Sequence, residues 1–214
     1  MAIRLVVLST LFVLGLSVGT ARANPIGPNC ATCQGSIYTL TNLGLVTDLN
    51  TGDGLADTYR IMLTIDTTGY TGTGVRIDEV AVKISSGLDS ATLVSAPGGT
   101  SNWNLVTGGV NANGCSGSGS GFDCAMFTGL TGGAVVPGTL LTWVFDLDIN
   151  GALLTGPLAA SIKARYVNAA GNKVGALMSE NITLTQVPEP SALLLLSSAV
   201  PAIGFAVRRR RSRR

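Results

Sequence analysis

The sequence predicts an all-β fold, an antiparallel β-sandwich or jelly roll, for residues 24–186. Three observations carry that reading. Residues 24–190 hold 25 glycines in 167 positions, about twice the usual ~7%. Only 18 of those 167 residues are charged, under half the ordinary ~25%. Several segments alternate apolar and polar residues with a period of two, the pattern of strands with one face buried and one wet. A chain of this length buries a sizeable core as one domain.

The elements follow in chain order. Ser36–Leu43 is a short strand candidate. "DTYRIMLTID", 57–66, sets Tyr59, Ile61, Leu63 and Ile65 on one face. "EVAVKIS", 79–85, sets Val80, Val82 and Ile84 opposite Ala81 and Lys83. Asn102–Val106 is a further short candidate. "TLLTWVFDLDI", 139–149, alternates most cleanly, with Leu141, Trp143, Phe145, Leu147 and Ile149 opposite Thr142, Val144, Asp146 and Asp148. "ASIKARYVN" places Ile162, Ala164 and Tyr166 opposite Lys163 and Arg165. "NAAGNK", 168–173, reads as a hairpin turn into a strand at 174–178, and Asn181–Gln186 closes the set. Gly, Asn and Asp punctuate these runs, as turns require.

The two ends read differently. Arg4, the apolar run Leu5–Gly19 and the small-x-small triplet Ala21-Arg22-Ala23 form a secretory signal peptide over 1–23. The apolar run is short for a spanning helix of about 20 residues, so cleavage is expected in preference to an uncleaved anchor. At the other end, Ser191–Val207 holds no charge. As a helix it would reach about 25 Å, the short edge of a bilayer span. Pro201 within it is compatible with a membrane helix. Arg208, Arg209, Arg210, Arg211, Arg213 and Arg214 follow and, by the positive-inside rule, stay cytoplasmic. A buried C-terminal core helix is the competing reading, and six arginines oppose it.

The formal charge of +2 therefore belongs to the tails. Residues 24–190 carry six Lys and Arg against twelve Asp and Glu, a net of −6, which argues against nucleic acid as a partner.

"VPEP" at 187–190, then the apolar run, then the arginine cluster resembles the PEP-CTERM sorting signal of exported proteins in Gram-negative, exopolysaccharide-producing bacteria. The resemblance covers Val187–Arg214 and implies processing by exosortase, a membrane cysteine protease-transpeptidase. It makes Pro188, Glu189 and Pro190 the recognition motif, Ser191–Val207 the transmembrane sorting helix and Arg208–Arg214 the retention signal. It further implies an inner-membrane-anchored precursor that passes to the cell surface or extracellular matrix. The chemistry of the motif agrees. Each proline biases the residue before it, Val187 and Glu189, to extended backbone, and neither proline has an N–H to donate. Ser191 suits the N-cap of the following helix.

Four cysteines occur as Cys30-x-x-Cys33 and Cys115-x8-Cys124. In an oxidising compartment two local bridges, Cys30–Cys33 and Cys115–Cys124, are favoured over the two crossed pairings. The second would close the Gly/Ser loop "SGSGSGFD". The chain has no histidine, which excludes Cys-x-x-Cys-His haem attachment, Ser-His-Asp and Cys-His catalysis, and the usual zinc hydrolase sites. A thioredoxin-type redox pair and a four-cysteine zinc site are weaker alternatives.

"DLNTGDGLAD", 48–57, is the best cation candidate, with Asp48, Asn50, Asp53 and Asp57 as oxygen donors for calcium. Its "GDGLAD" half is similar to the calcium loops of thrombospondin type 3 repeats and dockerins. Leu49 and Thr51 stand where the two earlier acidic ligands belong, and no glutamate closes the loop, so a turn feeding the strand at Tyr59 is the preferred reading. Asp146 and Asp148 share a strand face and would suit a glycosidase acid pair, against the plainer reading of surface charges. Trp143 reads as core and Trp103 as a candidate sugar platform. "NIT" at Asn181 fits the glycosylation pattern.

The expectation is a non-enzymatic exported protein with no obligate cofactor, structural or adhesive in association with extracellular polysaccharide, a role that comes from the resemblance. The alternative is a carbohydrate-binding module, calcium-assisted through Asp53 and Asp57. The weakest is an acid-pair hydrolase.

Overall fold

The computed structural model describes residues 25–47, 56–84, 88–129, 134–136, 138–150 and 158–186. These form ten strands: β1 Ile37–Thr47, β2 Ala56–Asp66, β3 Arg76–Ile84, β4 Leu88–Ser95, β5 Trp103–Asn111, β6 Gly114–Phe127, β7 Ala134–Val135, β8 Leu140–Asn150, β9 Leu158–Val167 and β10 Met178–Gln186. Among the described residues there is no α-helix, and one 3-10 turn, Thr100–Asn102, leads into β5. The proposed signal peptide, the Ser191–Val207 segment and the arginine cluster lie outside the described residues.

The strands follow the order β4-β8-β2-β1-β10-β9-β3-β6-β5, with β7 beside β3. Neighbours are antiparallel except β1 and β10, which run parallel and pair only at Thr41↔Thr185 and Asn42↔Gln186. That short join divides the sheet into two halves whose apolar faces meet, making an all-β sandwich. The inward residues of β8, Leu141, Trp143, Phe145, Leu147 and Ile149, are all buried, as are Tyr59, Ile61, Leu63 and Ile65 of β2. Across the core lie Val80, Val82 and Ile84 of β3 with Ile162, Ala164 and Tyr166 of β9. The period of two thus converts directly into one continuous core.

Aromatic contacts bridge the halves. Trp103 on β5 meets Trp143 on β8 edge-on at 5.5 Å and Phe127 at 5.3 Å. Tyr70 stacks on Tyr166 at 4.6 Å between centroids.

The expected turn at 168–173 is present. Asn168 Oδ1 accepts the N–H groups of Ala170 and Asn172, and Val167 bridges to Lys173. The strand expected at 174–178 does not follow it. Gly175 takes φ +66°, breaking the extended backbone, and β10 begins only at Met178. Three strands lacked a sequence signal, β4, β6 and the two-residue β7. β4 is an edge strand with little burial, and β6 contains the Gly/Ser stretch read as a loop.

Candidate functional site

Both local disulfides are formed, Cys30–Cys33 and Cys115–Cys124. The first closes a turn that ties the chain start to the last strand. Thr32 Oγ1 donates to Glu180 Oε1 at 2.9 Å, and Gln34 Nε2 to the Ala176 carbonyl at 2.9 Å. Cys33 is fully buried, so this pair is a structural clasp, and the redox and zinc readings do not fit it.

The second disulfide staples a wide bulge. Thr107 pairs with Asp123 and Val110 with Cys115, so three steps along β5 (107 to 110) oppose eight along β6 (123 to 115). The surplus folds the hairpin onto the outer face of the sheet. There Val110, Phe122 and Cys124 cover Ala81 in a small second core, with Cys115 and Leu177 against it. Lys163 Nζ lies 4.7 Å and Lys83 Nζ 5.6 Å from the Phe122 ring centroid, a cation–π arrangement.

Under this hairpin sits a charge cluster that alternation alone did not single out. A bulge in β3 between Ile77 and Glu79 lets two consecutive carboxylates reach one guanidinium. Arg165 donates from Nε and Nη2 to both oxygens of Asp78, at 3.1 and 2.6 Å. Its Nε is also 3.1 Å from Glu79 Oε2, and Nη1 donates to the Ala112 carbonyl of the hairpin. Glu79 is 2% exposed. Burial pushes its carboxyl up to about 7, aided by Asp78 and opposed by Arg165 and the Cys115 N–H. Gly114 takes φ +116°, and a Cβ there would meet Glu79 Oε1 at 2.5 Å; only glycine permits the hairpin to close over the acid.

The remaining candidates separate. Asp146 is held by a two-pronged pair with Arg60, Nε to Oδ1 at 2.7 Å and Nη2 to Oδ2 at 2.8 Å. Asp148 accepts from Thr58 and Ser90 at 2.7 and 2.5 Å. Both lie on the outer face of β8 as cross-strand anchors, which corrects the acid-pair hydrolase reading. The sugar-platform reading of Trp103 is corrected too: it is 5% exposed, its ring is packed in the core and its Nε1 donates to the Pro97 carbonyl at 2.9 Å. Of the calcium candidates only Asp57 is described, buried at the start of β2 opposite Ile149; Asp48, Asn50 and Asp53 lie outside the described residues. Among the described residues no group of three or more acidic or cysteine side chains is gathered as a metal site.

An open cleft of about 420 Å³ lies where β3, β9 and β10 adjoin, lined by Lys83, Ser161, Asn181 and Thr183 with Ala159, Ala160 and Ile182. Asn181 of the "NIT" triplet is exposed there, and its Oδ1 accepts from Ser161 Oγ at 2.7 Å.

The end of β10 has a further property. It pairs with β1 as far as Asn42, and β1 continues to Thr47 with β2 alone beside it among the described residues. Along this stretch Leu43, Leu45 and Val46 are 43%, 37% and 46% exposed. The next residue after β10 is Val187, the start of "VPEP".

Fold and chain end together define a class: a disulfide-bearing β-sandwich with a sorting signal placed directly behind its last strand. A family model described as the PEP-CTERM protein-sorting motif matches residues 186–211, and the chain carries that signal. A search of curated proteins returns no match by sequence. Solved structures align with this chain at low similarity. A putative membrane anchored protein from Corynebacterium diphtheriae aligns at 11% identity and TM-score 0.43, over 78% of this chain and 37% of that one. The sixth cohesin from scaffoldin B of Acetivibrio cellulolyticus, solved in complex with a dockerin, aligns at 10% identity and TM-score 0.38, over 71% and 99%. The collagen-binding domain of a Staphylococcus aureus adhesin aligns at 11% identity and TM-score 0.33, over 70% and 96%.

Proposed function

We propose that this chain is a non-enzymatic exported protein whose C-terminal tail is processed by exosortase, and whose sandwich serves a structural or adhesive role at the cell surface or in an exopolysaccharide matrix. Its parts would be a signal peptide over 1–23, the domain over 24–186 and the sorting signal over 187–214. In this reading Pro188, Glu189 and Pro190 are recognised, Ser191–Val207 anchors the precursor in the inner membrane of a Gram-negative host, and the terminal arginines retain it. One observation carries the proposal: the sorting-motif match over 186–211 begins at the final residue of β10. The test follows the C-terminal mass and location of the protein in the native host with and without exosortase. A shortened C-terminus that depends on the enzyme supports the reading; identical ends and location in both strains overturn it.

The cleft of Lys83, Ser161, Asn181 and Thr183 favours a second reading, a carbohydrate-binding domain, with calcium assistance from Asp53 and Asp57 as a separable part. Hydroxyl, amide and ammonium groups exchange hydrogen bonds with sugar hydroxyls. Binding to the host's own polysaccharide that falls in Asn181→Ala would support it, and sensitivity to chelator would support the calcium part. Absence of binding to every native polysaccharide overturns it.

A further inference from the structure

We propose that the cleft between β3, β9 and β10 takes an acidic polysaccharide, and that Lys83 reads the carboxylate of its sugar acid. This rests on the carbohydrate-binding reading of the cleft and goes beyond it by naming the ligand class. Strand register supplies the first argument. Lys83 pairs with Ser161, and Ser161 with Asn181. Their neighbours Val82, Ile162 and Ile182 face the core, so the three side chains form one outward row across the strands. Two strand spacings make that row about 10 Å wide, the reach of two linked sugar rings. In the next row Ala159 stands opposite Thr183, and its small side chain keeps the cleft open there.

Donor chemistry supplies the second argument. Ser161 Oγ donates to Asn181 Oδ1 at 2.7 Å, which leaves the NH2 group as the donor of that amide. The row thus carries an ammonium at one end and an amide donor at the other. Donors at both ends suit a ligand rich in acceptor oxygens. A sugar carboxylate offers two such oxygens and the single negative charge that matches one lysine. Among the described residues the cleft lining holds no carboxylate of its own.

The placement of charge is the third argument. Residues 24–190 hold six Lys and Arg, and two of them meet at one ring, Lys83 and Lys163 on either approach to Phe122. Like charges repel, so this gathering makes a local positive spot on an otherwise acidic domain. The hairpin also flanks the lysine that lines the cleft. Gly121 takes φ +74°, and a Cβ there would stand 3.4 Å from Lys83 Cε, so its backbone runs along the lysine stem. Gly121 and Phe122 lie just before Cys124 of the second disulfide. Lys83 is therefore positioned before a ligand arrives, which lowers the ordering cost of binding.

The test is a nuclear magnetic resonance titration of the oxidised full chain in neutral detergent. The probes are trigalacturonate and trimannuronate, set against maltotriose and cellotriose as neutral sugars of equal length. Shifts of the Asn181 side-chain amide and the Lys83 and Ser161 backbone amides read the cleft apart from the arginine-rich tail. Acidic probes should shift these signals saturably and bind at least about tenfold tighter than neutral ones. Lys83→Gln should erase that preference and leave neutral binding unchanged, whereas Lys83→Arg should keep it. Asn181→Ala should weaken both classes alike. The Trp103 and Trp143 indole signals report that each variant remains folded, and Lys83→Met serves if Lys83→Gln does not. Equal affinity for acidic and neutral probes, or a preference that survives Lys83→Gln, overturns the proposal and leaves the carbohydrate reading standing. Absence of cleft shifts with every probe also overturns it, and the carbohydrate reading is then decided by the host's own polysaccharide.

Discussion

The hydroxyls of Tyr38 and Tyr166 lie 2.6 Å apart at the centre of the sandwich, one from each half-sheet. Tyr166 also donates to Ser36 Oγ at 2.9 Å, and all three residues are fully buried. The triad is a polar rivet in an apolar core. Tyr166→Phe removes the partner common to Tyr38 and Ser36 and should cost about 2 kcal/mol. Tyr38→Phe removes one bond and should cost about 1 kcal/mol. Urea titration of the two variants checks the ranking.

The same rivet sets an alkaline limit. Burial, first of all, raises both phenols, that of Tyr166 to about 12. Below the ordinary tyrosine value near 10 both folded and unfolded chains keep these protons, and the contribution is fully present. Above it the unfolded chain releases protons that the fold retains, so stability should fall from about pH 10 upward. Melting temperature across pH 8–12, with Tyr166→Phe as reference, measures this.

Glu79 gives a second, milder pH response. Its carboxyl is raised by burial to about 7 from an ordinary 4.5. Between those values the folded chain holds a proton that the unfolded chain has lost, so stability should decline as pH rises through the window, by at most about 1.4 kcal/mol per pH unit. Glu79→Gln keeps the neutral shape and should flatten the slope between pH 5 and 7. A slope equal to that of the parent would refute this.

Replacing Cys115 and Cys124 together by serine should cost about 2–3 kcal/mol and raise amide exchange first in residues 114–123. The hairpin lid over Ala81 and Glu79 depends on that closure. Hydrogen exchange under oxidising conditions separates the local effect from global unfolding.

Trp103→Ala should cost about 3–5 kcal/mol, since it opens a hole beside Trp143 and Phe127 and orphans the Pro97 carbonyl. Trp103→Phe, which keeps the fold, should leave any binding to polysaccharide unchanged. A selective loss of binding in Trp103→Phe would restore the sugar-platform reading.

The core was legible because large apolar residues alternate with polar ones along β2, β8 and β9, and the burial of Trp143 and Tyr166 follows from position alone. β4 was not, because its "LDSATLVS" belongs to an edge that buries little, and edges carry weak patterns. The Gly/Ser stretch of β6 hid a strand because its pairing is sustained by the disulfide and by β5. The Asp78–Glu79–Arg165 cluster did leave a trace. Ile77 and Val80 both face inward although they are three apart, and that slipped phase marks a bulge with two acids at its crest. Asp146 and Asp148 could be placed on one face from sequence, but their partners Arg60, Thr58 and Ser90 come from neighbouring strands that only the pairing identifies.

The two-pair join between β1 and β10 has a consequence for the order in which the molecule is completed. Among the described residues, backbone strand pairing connects the half-sheets only through β10, which ends at residue 186. A chain emerging from its N-terminus can therefore assemble the β1-β2-β8-β4 half once β8 is delivered, yet cannot zip the two halves until β10 has followed, directly ahead of the sorting signal. Completion of the fold and arrival of the C-terminal label become nearly the same moment. A nascent chain bearing the label is one that has just gained the means to close.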